Sequence, residues 1–165
     1  MEASRRMLGL AAAIASLIGG IAYANDELTA CFRDAGERYA ISPALLLAIA
    51  EVESGLDPAA VNVNANGTTD IGLMQINSWW FPELKRYGIA PRDLRDPCVN
   101  IGVGAWILAG NFRQYGFGWR AVGAYNAGTG TDQLTERRRE DYAIKVHERL
   151  SCGTGRLCVT ATEPR

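Results

Sequence analysis

Two glutamates lie two positions apart in the apolar segment Pro43 to Ser54, and the directions they take on a helix separate their chemistry. At about 100° per residue, with Leu45, Leu46, Leu47, Ile49 and Val52 as the apolar set, Glu53 falls roughly 50° from the centre of the buried face and Glu51 roughly 150° away. Glu51 reads as an ordinary solvated glutamate. Glu53 borders the apolar face, where partial desolvation disfavours its charged form and raises its pKa above the usual ~4.3. A carboxyl shifted to ~6 is protonated about a tenth of the time at pH 7, against about 0.2 % for an unshifted one. That is the tuning a general acid for glycosidic bonds needs. On helical geometry alone, a boundary glutamate paired with an arginine or a helix end is the commoner reading.

The element carrying Glu53 is well punctuated. Ser42-Pro43 and Asp96-Pro97 each pair a capping residue with proline at the first helical position, where no hydrogen bond is lost. The first opens a helix over 43–54 that Gly55 and Pro58 stop. An earlier helix, Glu27 to Tyr39, carries Leu28, Cys31, Phe32, Ala35 and Tyr39 as a core-facing stripe. A helix from Cys98 to Gln114 contains Gly102, Gly104 and Gly110, which are expected to admit neighbouring backbones closely. Trp119 to Asn126 forms a shorter helix ending at Gly128, and a last helix from Asp132 to Leu150 ends at Gly153. The polar stretch Asn62 to Asp70, with Asn66-Gly67, reads as an exposed loop or hairpin. Strand-like alternation is confined to Val61–Asn64 and Ile71–Ile76, so the expected fold class is mainly α in one domain, with room for a small β element.

Arg5 and Arg6 precede an uncharged apolar run from Met7 to Ile21 that ends in Ala22-Tyr23-Ala24, the order of a secretory signal peptide. The run is short of the ~20 residues a membrane-spanning helix needs, so residues 1–24 are expected to be a cleaved leader. Removing them moves the formal charge from −1 to −2, which gives no basic face for nucleic acid. Cys31, Cys98, Cys152 and Cys158 all follow the leader, and an even count in an exported chain favours disulfides, in any of three pairings. A zinc site is disfavoured, because there is no Cys-x-x-Cys pair and His147 is the only histidine.

Three motifs follow one another along the chain: Glu53-Ser54-Gly55, then Gly72-Leu73-Met74-Gln75-Ile76-Asn77, then Ala124-Tyr125-Asn126-Ala127-Gly128. In that order they resemble the lytic transglycosylases of the soluble-transglycosylase (SLT) type, which have a lysozyme-like fold. The resemblance spans roughly Cys31 to Leu150, and Asp96 to Ile101 with Gly104-Ala105 is similar to the family's helix before the Tyr-Asn motif. It implies a lytic transglycosylase domain over 25–150 and a tail over 151–165. The chain looks most like the small stand-alone members that accompany secretion systems, conjugation machines and pili. Those members carry cysteines at the positions of Cys31 and Cys98, so the resemblance implies a Cys31–Cys98 disulfide and leaves Cys152 for Cys158.

Carried over by motif, the resemblance makes Glu53 the catalytic acid and Tyr125 the tyrosine that holds and tunes its carboxyl. Ser54, Met74, Gln75, Asn126 and Tyr142 become substrate contacts, with Met74 and Gln75 as the groove floor and Gln75 and Asn126 positioning acetamido groups. Plainer readings accompany these: Met74 as core, Tyr125 and Tyr142 as packing tyrosines. Arg138 departs from the pattern, since many members carry a glutamate four residues before the later groove tyrosine. Trp79, Trp80 and Phe81 offer a sugar-stacking surface, but three adjacent aromatics cannot share one helical face, so at least one is expected in the core.

Ordinary glycosidases use two carboxyl groups. Asp57 follows a helix stop, and a loop or N-cap role suffices for Asp70, so a one-acid mechanism is expected. Glu53 would cleave the MurNAc–GlcNAc bond of peptidoglycan and close a 1,6-anhydro ring, without metal or cofactor. A periplasmic monomer acting on glycan strands, recruited by a secretion, conjugation or pilus apparatus, is the implied setting. The alternatives are a lysozyme-type hydrolase and a catalytically silent glycan-binding module.

Overall fold

The computed structural model describes residues 26–153. The expected leader, and the tail from residue 154 with Cys158, lie outside the described residues.

The first helix, α1, covers residues 26–39. Next come α2 (Pro43–Ser54), the strands β1 (Val61–Val63), β2 (Thr69–Ile71) and β3 (Ile76–Asn77), and a 3-10 turn at Ser78–Trp80. The short helix α3 (Phe81–Arg86) and a second 3-10 turn (Pro91–Arg95) lead to α4 (Pro97–Tyr115), α5 (Trp119–Ala127) and α6 (Gln133–Gly153). The mainly α expectation therefore holds, with a three-stranded antiparallel sheet added in the order β1-β2-β3.

The two proline-opened helices start differently from one another. Asp96 caps α4 through its side chain, accepting from the Val99 N–H at 3.0 Å, whereas Ser42 makes no side-chain cap and serves α2 through its carbonyl, which accepts from Leu45 and Leu46. Gly55 closes α2 in the left-handed conformation, φ 65°, with its N–H on the carbonyls of Ala50 and Glu51. The last helix runs to Gly153, so Ser151 and Cys152 belong to α6 and not to a tail.

At the centre of the core is α4, buried on nearly every side through Ile101, Gly104, Ala105, Leu108 and Phe112. Leu46 and Ile49 of α2, Leu73, Met74 and Ile76 of the sheet region, Leu94, and Val146 of α6 are fully buried around it. Leu47 departs from the apolar set assigned to α2 and is exposed. Of the three α4 glycines expected to admit close neighbours, only Gly104 does so, and against a side chain: a Cβ there would lie 2.9 Å from the Met74 Cβ. Gly102 has open space, and Gly110 meets only the side chain of Arg113. The close backbone approach is at Gly123 of α5, where any Cβ would collide with the backbone of Arg139 in α6.

Cys31 and Cys98 form a disulfide that ties α1 to the start of α4 across 67 residues of sequence.

Candidate active site

Glu53 leaves the last turn of α2 toward α6, from which the Tyr142 hydroxyl donates to its Oε1 at 2.5 Å. Its carboxyl is pushed up from 4.5 to about 7. Burial is the main cause; the Tyr142 hydrogen bond works against it, and the negative charge of Asp70 adds to the rise. At pH 7 about half of such carboxyls are neutral and able to give a proton. Tyr142 is itself buried, and burial together with the Glu53 charge holds its phenol far above the usual range, so it remains a donor. Glu51 is half-buried and also faces α6, with Arg149 at 3.6 Å, so it is not the free solvated glutamate expected.

The Tyr125 hydroxyl donates to the Met74 carbonyl at 2.9 Å, not to Glu53. Burial first, then the charges of Glu53 and Asp70, raise its pKa well above normal. The tyrosine expected to hold the carboxyl thus braces the loop beside it, and Tyr142, expected only as a groove contact, holds the carboxyl.

That loop, residues 72–75, joins β2 to β3 between the paired residues Ile71 and Ile76. Gly72 has φ +77°, and a Cβ on it would lie 2.6 Å from the Leu94 carbonyl oxygen, so no other residue fits without displacement. Asn100, fully buried on α4, accepts from the Met74 N–H at 2.7 Å and donates to the carbonyls of Ile71 and Leu94 at 2.8 Å each. The Met74 side chain is completely buried against Gly104. Only its backbone serves the site, which corrects the expectation that its side chain forms the groove floor. Gln75, at φ 47°, lines the groove while its Nε2 donates to Gly72 at 2.9 Å. Ser54 is not a groove residue: its hydroxyl donates to the Leu73 carbonyl at 2.9 Å and accepts from the Asp57 N–H at 3.1 Å, joining α2 to the loop.

These elements border a groove of about 850 Å³ that contains Glu53, Asp70, Gln75, Tyr125 and Asn126. Trp79 and Trp80 line it too, edge to face at 4.7 Å; Trp79 is exposed, while Trp80 and Phe81 both pack against the core, as expected of at least one of the three. Sequence reasoning missed Asp70. Asn64 and Asn77 each donate to one of its carboxylate oxygens at 2.7 Å, so β2 holds a second carboxylate in the groove and not a loop cap. Asp70 borders the strand-like run that begins at Ile71, and its pairing with Asn77 across β2–β3 appears only in the fold.

Arg139 was also missed. It is 1 % exposed and donates to the carbonyls of Gly128 and Gly130, to Glu136 and to the Tyr115 hydroxyl, at 2.6–3.2 Å. It thereby fixes the turn that follows Asn126, while Arg138 is exposed. Its place three and seven residues before the buried Tyr142 and Val146 was legible in the helical period. Cys152 is on α6; its expected partner Cys158 lies outside the described residues. Among the described residues, no cluster of three or more His, Cys, Asp or Glu is placed to hold a metal ion.

Residues 30–147 match the family described as Transglycosylase SLT domain. Invasion protein IagB of Salmonella typhi is 46 % identical over 125 residues, which cover 75 % of this chain and 77 % of that protein. Protein IpgF of Shigella flexneri is 45 % identical over 120 residues, 72 % and 78 % of the two chains. X polypeptide of Escherichia coli (strain K12) is 44 % identical over 131 residues, 79 % and 75 % of the two. Among solved structures, an inactive glutamate-to-glutamine mutant of Lytic Transglycosylase Slt from Pseudomonas aeruginosa matches with a TM-score of 0.57 and 20 % identity. The match covers 76 % of this chain and 24 % of that one, and it establishes the lysozyme-like fold. The chain belongs to the Transglycosylase SLT domain family, and its class is that of the peptidoglycan lytic transglycosylases.

Proposed function

We propose that this enzyme cleaves the β-1,4 bond between N-acetylmuramic acid and N-acetylglucosamine by intramolecular transfer, leaving 1,6-anhydromuramoyl ends. The observation that carries this reading is the Glu53 carboxyl, raised to about 7 by burial at the edge of the groove. Neutral Glu53 gives its proton to the glycosidic oxygen as the C1–O bond breaks, and the substrate's N-acetyl group or ring stabilises the oxocarbenium-like centre. The Tyr142 hydroxyl supports the carboxylate so formed. That carboxylate then takes the proton of the muramoyl 6-hydroxyl while its oxygen bonds to C1, which returns Glu53 to the neutral state and consumes no water. Gln75 and Asn126, both on the groove wall, are suited to acetamido groups.

Asp70 favours a second reading, because two carboxyl groups in one groove are what a retaining hydrolase uses. The two readings differ by one water in the product. Mass spectrometry of purified sacculi digested with the wild-type enzyme separates them: anhydromuramoyl ends support transglycosylation, and reducing ends support hydrolysis.

The biological setting we infer is the periplasm, reached by cleavage after Ala24, with the wall opened locally for a secretion, conjugation or pilus apparatus. The leader-like sequence and the similarity to IagB, an invasion protein, support it. Fractionation of cells expressing the full chain tests it: mature protein in the periplasmic fraction is the expected result, and full-length cytoplasmic protein would contradict it.

A further inference from the structure

Beyond Tyr125 the groove continues along the last turns of α4, where Gly110, Asn111, Arg113 and Gln114 line it. Two of these side chains lack the partner their chemistry calls for. Asn111 is 8 % exposed, and its Nδ2 is buried with no hydrogen-bond acceptor among the described residues. Buried amide donors are nearly always paired, so an orphan on a groove wall points to a group that arrives with the ligand. Rotation about the broad second torsion of asparagine can turn that nitrogen toward the groove.

Arg113 is the second. It is exposed and forms no ion pair among the described residues, as also holds for Arg38, Arg95, Arg137 and Arg138, but of these arginines only Arg113 lines the groove. Its Nη2 lies 3.7 Å from where a Cβ of Gly110 would be, so the guanidinium folds back along the groove wall and the glycine leaves it uncovered.

The sugar backbone of a peptidoglycan strand offers hydroxyl and acetamido groups, and its anionic groups are on the peptide stems carried by the muramoyl lactyl ether. We propose that the end of α4 is a stem-reading subsite, in which Arg113 pairs with a stem carboxylate and Asn111 donates to the carbonyl that joins lactate to the stem. The proposal rests on the glycan-strand reading of the same groove.

The test compares stem-bearing strands with the same strands after their stem carboxylates have been converted to amides. The wild-type enzyme is expected to favour the acidic strands, and Arg113→Ala should lower that kcat/KM ratio about threefold, as for an exposed ion pair. Arg113→Lys should keep most of it, and Arg113→Glu should invert it. A ratio unchanged by all three substitutions overturns the Arg113 assignment. For Asn111→Leu the expected result is a KM raised about tenfold together with a higher Tm, because a substrate contact and an unpaired buried donor are removed at once. A lowered Tm with unchanged KM would make Asn111 structural and overturn its assignment. Failure of the wild-type enzyme to cut either kind of strand would overturn the glycan-strand reading, and this proposal with it.

Discussion

The Tyr142 hydroxyl donates to the Glu53 carboxyl at 2.5 Å, from a helix that begins eighty residues further along the chain at Gln133. That hydrogen bond and the Asp70 charge pull the same carboxyl in opposite directions: the donor favours ionisation, and the neighbouring charge opposes it. The proton affinity of Glu53, raised mainly by burial, is therefore adjusted in opposite directions by two elements of the fold outside its own helix.

If Glu53 must be neutral to act, activity falls as pH rises through about 7. Tyr142→Phe removes the contact that lowers the pKa, so the alkaline limb of the kcat/KM profile should move to higher pH. Asp70→Asn removes a contribution that raises it, so the limb should move to lower pH. Matching pH profiles of the two variants and the wild type measure both, and shifts of the same sign would contradict the opposition.

The raised pKa also has a cost in stability. A carboxyl whose pKa is higher in the fold than in the unfolded chain stabilises fully below about 4.5, and that contribution is lost as pH climbs through about 7. At about 1.4 kcal/mol per unit the loss is roughly 3 kcal/mol. Glu53→Gln should therefore be more stable than wild type at pH 8 by an amount of that order and nearly equal to it at pH 4, as measured by urea unfolding at the two pH values.

Arg139 should not tolerate replacement. Arg139→Met leaves the Gly128 and Gly130 carbonyls and Glu136 without a buried donor, and a loss of about 3 kcal/mol is expected from breaking such a set. Denaturant unfolding checks it, with Arg138→Ala, at an exposed position, as the comparison that should stay within about 0.5 kcal/mol.

Linking α1 to α4 across 67 residues, the Cys31–Cys98 bridge restrains the unfolded chain. Its replacement by Cys31→Ala with Cys98→Ala is expected to cost about 4 kcal/mol on the loop-closure account, read from unfolding midpoints without reductant.

Much of this was legible in the chain, and the omissions have physical causes. Glycine and proline punctuation placed α2, α4 and α5 within a residue or two, because caps and stops are local. Helical direction singled out Glu53 from Glu51, and the motifs placed Tyr125 and Asn126 at the same groove. The roles of the two tyrosines were exchanged because a hydroxyl's partner depends on tertiary distance: Tyr125 reaches the Met74 carbonyl before it reaches Glu53. Asp70 was hidden for a related reason, since its function comes from Asn64 and Asn77 meeting it across strands only two or three residues long. Asn100 and Arg139 are polar residues buried by the fold around them, and only their place on an apolar stripe announced them beforehand. The short α3 and the 3-10 turns escaped because so few residues carry no periodic signal.

The most direct measurement is the rate at which purified Glu53→Gln releases soluble muropeptides from sacculi, compared with wild type under identical conditions at pH 6. The substitution keeps the side chain's volume and its hydrogen bond from Tyr142 but removes the proton it can give. The account expects a fall of at least about a hundredfold in a protein that remains folded. Release at the wild-type rate would show that Glu53 is not the acid.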